Sequence, residues 1–575
     1  MKTNTSIDRV DNGRGRVIVS TRMDSDPVVG TTEVLPDAAV EAESARSTPG
    51  MERVNQAARI RIEAARAEQR LGVFPHPVNG DEERYPTRIA NFSKGLRHNR
   101  LGEVDQDDYQ ALLDALNASS FAQLEALHLG GQLKLLNPLG GVAFNMEGPD
   151  SAATTVQPPP RFDSPQLAAQ MAELYWMALC RDVPFADYDA DPTVAAAIND
   201  LSTFPGEGPT PLTPRTIFRL PYPGALDGPI VSQFLLKPFQ YDGISIDGRT
   251  RVPLPVTTDN GIDFLTSYDE WLCAQRGFPL PGNSFGYKAC EIGQQRFDPT
   301  PRFIRSVRDM GQNAGQDSIY SAYFRAALIL NGFGAGAVDP ANPYVASKTQ
   351  SGFATFGLAH LLGLVGRAHQ AERHTWYNKW QVHRFLRPEV FAGRVHNVKT
   401  GAASYPVHPR LLGSPVLDRI FTYNQMVNGR RGLGGGTGTF LLPILFPQGS
   451  PTHPSFPAGH AFSAGACVTV LKAWFREDFL IPDPMKPKRD GSGLEPYVVG
   501  RDGPPLTLGG ELNKLAHNLS MGRDMSGVHW RADDVQGNRE GEEVAIRLLR
   551  EARATYPESF DGFTLTKFDG TTVTV

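Results

Sequence analysis

The longest stretch of this chain without Asp, Glu, Lys or Arg runs from Gly432 to Leu471. Glycine, proline and histidine interrupt it repeatedly, so it cannot form a membrane-spanning helix. A charge-free segment of this kind must instead be covered by the rest of the protein, and it reads as a buried loop feeding a core helix. That helix is expected over 459–476, with Lys472 as its only charge before Arg476. The other elements must supply apolar faces around it, and a helical period recurs along the chain. Val54, Ala58, Ile62 and Ala65 fall at three- and four-residue spacing from Met51 onward. Further helices are expected near 106–118, 165–181, 260–275, 317–332 (with Asp317 as N-cap), 352–372, 374–386, 413–428, 511–523 and 530–556. Strands and helices do not alternate, which argues against a parallel sheet. Short strands are expected at Ile217–Leu220 and Ile230–Phe234, within a proline-dense region, and a C-terminal hairpin over 563–575 turns at Asp569-Gly570. The fold class is mainly α, built of helical bundles with minor β hairpins.

Of the 575 residues, 40% are hydrophobic and 21% charged, which allows an ample core. A net charge of −5 argues against a nucleic-acid-binding surface. Cys180, Cys273, Cys290 and Cys467 show no CxxC spacing and are expected to be buried thiols. Residues 1–50 are polar, lack an apolar signal region and read as a flexible tail ahead of a folded body over 51–575. The protein is thus expected to be soluble, with no membrane partner, and cytoplasmic by default.

Three short segments carry the chemistry. The first is Lys379-x7-Arg387-Pro388, whose cations are eight positions apart. Two α-helical turns take about 7.2 residues, so one helix would hold both cations on nearly one face. Trp376, Tyr377, Trp380 and Phe385 are interleaved among them, which a solvated basic face rarely carries. The second is Pro454-Ser-Phe-Pro-Ala458-Gly459-His460, where prolines and a glycine open the apolar helix and aim backbone N–H groups outward. The third is Ser520-Met-Gly-Arg523-x5-His529, with Asp533 one helical turn beyond His529, placed to fix the imidazole tautomer. Ten of the thirteen histidines lie from His360 onward, in the half that holds these segments. Three cations, two histidines and a helix start suit a small, highly charged oxyanion. The bundle is therefore expected to enclose an oxyanion pocket, with the catalytic half at about 300–556.

This set resembles the vanadium-dependent haloperoxidases and, more distantly, the type 2 phosphatidic acid phosphatases. Asn91-Phe-Ser-Lys-Gly-Leu and Trp376-Tyr-x-Lys-Trp are particularly similar to the algal-type bromoperoxidases. The resemblance implies vanadate as cofactor, with no haem, flavin or nicotinamide, and His529 as the single protein ligand to the metal. Lys379, Arg387, Arg523 and the Gly459 amide would bind its oxygens, and His460 would be the acid–base group. His453, Trp376 and Asn378 would line the halide or substrate pocket, His453 standing where fungal chloroperoxidases carry an aromatic residue. Hydrogen peroxide, a halide and small organic molecules would be the substrates. His460 would take a proton from peroxide, Lys379 would make one oxygen more electrophilic, and the halide would leave as hypohalous acid. The family also implies a homo-oligomer, from dimer to dodecamer. His453 leans toward bromide and iodide, with chloride left open.

One position departs from the family, which usually reads Ser-Gly-His where this chain has Ala458-Gly459-His460. Losing one charge-assisted hydrogen bond would cost about 1.5–3 kcal/mol if nothing replaces it; a water or Ser455 are the candidates. Two other readings use the same residues. An acid phosphatase would use His529 as nucleophile, Asp533 as its orienter and His460 as leaving-group acid. A non-catalytic oxyanion-binding protein is suggested by Ala458 alone.

Overall fold

The computed structural model describes residues 8–11, 17–20 and 49–575, except 206, 207, 257, 259, 260, 291 and 317. The N-cap expected at Asp317 and most of the expected tail lie outside these residues. The chain divides into two compact units, Met1–Ala64 and Ala65–Val575. In the first, Asp8–Asp11 pairs antiparallel with Val17–Ser20, a hairpin within the segment read as a tail.

In the second unit, α1 (Val307–Gln316), α2 (Leu358–Gln370), α3 (Arg373–Tyr377), α4 (Pro388–Lys399), α5 (Gly459–Trp474), α6 (Leu508–Met525) and α7 (Arg531–Arg553) position the site. Helix α5 is the axis, packed by α2, α6 and α7, while α1 lies on α6. All of α5 is buried apart from His460, which is half-buried. Glycines let α5 and α7 approach closely. A Cβ on Gly465 would lie 2.1 Å from the Asn538 carbonyl oxygen, and one on Gly541 2.1 Å from the Phe462 carbonyl oxygen. Lys472 is tolerated in the core because it donates to the Thr566 carbonyl at 2.7 Å and lies 3.7 Å from Glu542.

The strands are few. The C-terminal hairpin forms as expected, Thr564–Thr566 with Thr572–Thr574, turning at Gly570 with φ 83°. Two expected strands do not form: Ile217–Leu220 lies in turns, and the second region becomes a short helix, Gln233–Leu236. Both segments are wedged against the core, where hydrogen bonds to His517, Glu511 and Asn518 satisfy their backbones without a strand partner. Nearby, Phe239–Tyr241 pairs with Ile244–Ile246 instead.

The cysteines also depart from expectation. Cys273 and Cys290 form a disulfide with a Cα–Cα distance of 6.4 Å, while Cys180 and Cys467 are buried free thiols. A separation of 17 residues with no motif gives no local sign of that pairing.

Candidate active site

The single helix expected over 374–386 does not continue. After α3 the chain widens into a π-helical turn, Asn378–His383, and Arg384 adopts a left-handed conformation with φ 40°. Such a backbone costs about 1–2 kcal/mol for a residue with a Cβ. The Arg384 side chain offsets this by pairing with Glu82 and donating to the Trp380 carbonyl at 3.0 Å. Arg387 then caps α4, with Pro388 at its first position. Lys379 and Arg387 therefore lie on either side of a helix break, not along one helical face.

The Asn91–Leu96 segment braces this break. Phe92 N donates to the Arg384 carbonyl at 2.7 Å, and buried Lys94 donates to Glu389, Gln448 O and Ser450 O, each at 2.7 Å.

Lys379, Arg387 and Arg523 are all buried, and every partner they have is neutral. Lys379 donates to the carbonyls of Pro454 at 3.2 Å, Ser455 at 2.7 Å and Pro457. Arg387 donates to the carbonyls of His453 at 3.0 Å and Val528 at 2.8 Å, and contacts the His453 and His529 rings at 3.0 Å. Arg523 reaches the Ala314 carbonyl at 3.4 Å, and its Nε has no partner. Equally buried Lys94, Arg181, Arg308 and Lys514 each hold a carboxylate. Among the described residues, the three motif cations form no such ion pair. Burial, then the charge of Arg387, pushes the Lys379 ammonium well down. Burial lowers Arg387 to about 9 and Arg523 to about 10. Carboxylates act on them only from beyond ion-pair distance, Asp533 on Lys379 and Arg387 and Asp534 on Arg523, so each cation can still take an oxyanion's oxygen as a direct partner, which is the fit expected of a vanadate or phosphate site.

His529 is oriented as the third segment suggests. Its Nδ1 lies 2.7 Å from Asp533 Oδ2, which also accepts the Trp530 N–H at 3.1 Å. Burial, with Arg387 and Lys379, holds the imidazole far below its usual pKa. Burial raises the Asp533 carboxyl to about 7, against Lys379 and Arg387. His460 is likewise held neutral by burial and by Arg523 and Lys379, with the Ala314 backbone opposing.

The remaining residues divide. His453 lies inside, its ring 4.8 Å from Trp376 and 6.5 Å from His529. Asn378 donates to Glu540 at 2.7 Å and to the His374 carbonyl at 3.4 Å. Ala458 is fully buried at the N-cap of α5, with no side-chain cap. The Ser455 hydroxyl donates to the Leu386 carbonyl at 2.9 Å and also lies in hydrogen-bond contact with Asp533. Two carboxyls at the site carry no motif signal: buried Glu540, and half-buried Glu372, one turn before Trp376. A cavity of about 690 Å³, lined by Arg215, Arg305, Lys488 and Tyr497 among others, contains none of the motif residues.

Residues 424–557 match a family model, the VCPO second helical-bundle domain. The chain is 36% identical to a vanadium-dependent bromoperoxidase of Ascophyllum nodosum over 532 residues, 89% of this chain and 90% of that protein. It is 33% identical to that of Corallina officinalis over 588 residues, covering 90% and 97%. The homohexameric structure of the second vanadate-dependent bromoperoxidase of Ascophyllum nodosum superposes with a TM-score of 0.83 at 31% identity, covering 96% of this chain and 94% of that one.

Proposed function

The chain belongs to the vanadium-dependent bromoperoxidases, and from that premise we propose that it oxidises bromide and iodide with hydrogen peroxide, using vanadate held by the three motifs. The observation that carries the site assignment is the set of three buried cations with no carboxylate partner, converging on a neutral imidazole.

Arg387, Arg523 and Lys379 would exchange their neutral acceptors for the oxygens of the ion, to which charge-assisted bonds are roughly twice as strong. His529 would ligate the metal through Nε2, since Nδ1–H is given to Asp533. Bound vanadate would supply Lewis-acid polarisation of peroxide without a change in its own oxidation state. His460, held neutral by burial and by the charges of Arg523 and Lys379, would take the proton from peroxide. His453 and Trp376, in ring contact, would receive the halide. Catalysis would thus be confined to the 300–556 half, and the hypohalous acid formed would halogenate small organic molecules. The similar structure is homohexameric, and we infer a homo-oligomer here too.

A phosphatase would use the same His529, but the family and the Trp376–His453 contact favour halide oxidation. The deciding experiment is steady-state kinetics of vanadate-loaded wild type and His529→Ala with chloride, bromide and iodide. Bromide and iodide turnover is expected in the wild type and none in the variant. Activity near wild type in His529→Ala would overturn the assignment, and phosphate-ester hydrolysis without halide oxidation would favour the phosphatase.

A further inference from the structure

Glu372 plays no part in the mechanism above, yet its carboxyl stands in the cradle assigned to the ion. Its Oε1 lies 2.1 Å from where a Cβ on Gly459 would be. Gly459 is the first residue of α5, whose N-cap Ala458 contributes no side-chain hydrogen bond. The carboxyl therefore rests at an amide end of the core helix that no side chain of its own caps. Trp376 hydrogen-bonds to it, and the Lys379 charge acts on it.

Its backbone is pinned. Glu372 N donates to the His369 carbonyl at 3.1 Å, and the Thr375 hydroxyl donates to the Glu372 carbonyl at 2.8 Å. A carboxylate beside a helix start and a buried ammonium is the arrangement an external anion would make in the same place. The absence of a side chain at Gly459 is what admits it.

We propose that Glu372 is an internal anion that competes with vanadate and phosphate for the Gly459 end of the cradle and so sets the affinity of the site. The inference rests on the oxyanion reading above. A carboxylate and a multiply charged oxyanion repel strongly when both are removed from water, so the ion can seat only when Glu372 swings out or gives up its charge. Burial already pushes the carboxyl up, with Lys379 opposing. The missing serine at Ala458 and the carboxylate at Glu372 then act in the same direction, both weakening retention of the ion.

The test is calorimetric titration of the ion-free, full-length protein with orthovanadate and, separately, orthophosphate, for wild type, Glu372→Gln and Glu372→Ala. Thermal melting serves as the check on folding. Glu372→Gln keeps the volume and removes the charge, and is expected to bind both ions at least tenfold more tightly than wild type. Glu372→Ala is expected to move in the same direction and decides the matter should the amide variant not fold. Binding equal to wild type would overturn this inference alone, and weaker binding would make Glu372 a donor to the ion instead of its competitor. Failure of all three proteins to bind either ion would overturn the oxyanion reading, and this inference with it.

Discussion

Nη1 of Arg387 lies 3.0 Å from Nε2 of His529, while Nδ1 of the same ring lies 2.7 Å from Asp533. A guanidinium can only donate, so Nε2 carries the lone pair and Nδ1 the hydrogen. The carboxylate thus selects the tautomer in which the pocket-facing nitrogen is free to ligate a metal.

Asp533→Asn removes the charge that selects this tautomer, because an amide can either donate to Nδ1 or accept from it. Vanadate affinity is expected to fall by about 10–100-fold, the usual effect of losing a partner of this kind. Equilibrium dialysis of wild type against variant, with circular dichroism to check the fold, measures it.

Ala458→Ser restores a hydroxyl at the N-cap of α5, where Ala458 has an extended conformation, φ −77° and ψ 128°, suited to a capping side chain. The vanadate dissociation constant is expected to drop by up to about tenfold, with weaker suppression by phosphate. Without vanadate the new hydroxyl is expected to cap the helix and add about 1 kcal/mol of stability. Vanadate titration with and without phosphate, and denaturant unfolding of the ion-free protein, separate the two effects.

Glu540→Gln should change how stability depends on pH. Burial raises the Glu540 carboxyl to about 8 from 4.5, with Thr154, Asn378 and Lys379 opposing. A raised carboxyl favours folding fully below its unfolded value, and that contribution is lost as pH rises toward 8. The loss approaches about 1.4 kcal/mol per pH unit within this window. The variant is therefore expected to gain on the wild type steadily between pH 5 and 8, as read by melting temperature in a series of buffers.

Gly465→Ala would place a methyl 2.1 Å from the Asn538 carbonyl oxygen, on a backbone held by two packed helices. Overpacking of this kind costs about 1–3 kcal/mol. Urea unfolding should show the unfolding free energy falling by that amount, while Gly429→Ala, with open space around the added atom, is expected to be near neutral or stabilising.

The helices were legible because apolar period and burial agree: 106–118, 165–181 and 530–556 match Gln106–Asn117, Pro165–Leu179 and Arg531–Arg553 to within three residues. The cations were legible because their spacing with aromatics, glycine and histidine is unusual. The break between Lys379 and Arg387 was not, since a π-helical turn has no sequence period of its own and Arg384 holds its conformation through Glu82, far away in sequence. Glu372 stayed hidden for a similar reason. Nothing in Glu-Arg-His-Thr-Trp says that the carboxyl will meet a glycine that lies 87 positions onward, from 372 to 459; only the packing of α3 against α5 does.

The three unpaired cations also bear on how the protein survives between turnovers. Folding buries them with no carboxylate in direct contact, so part of the native state's electrostatic balance is left to whatever anion the surrounding solution supplies. Any ion that binds the folded form alone stabilises it by about 2.7 kcal/mol at a hundredfold excess over its dissociation constant. A medium rich in phosphate would then protect the ion-free chain from unfolding while keeping it idle. The same binding that would inhibit the enzyme would serve as its preservative, and purification in phosphate-free medium would expose its least durable form.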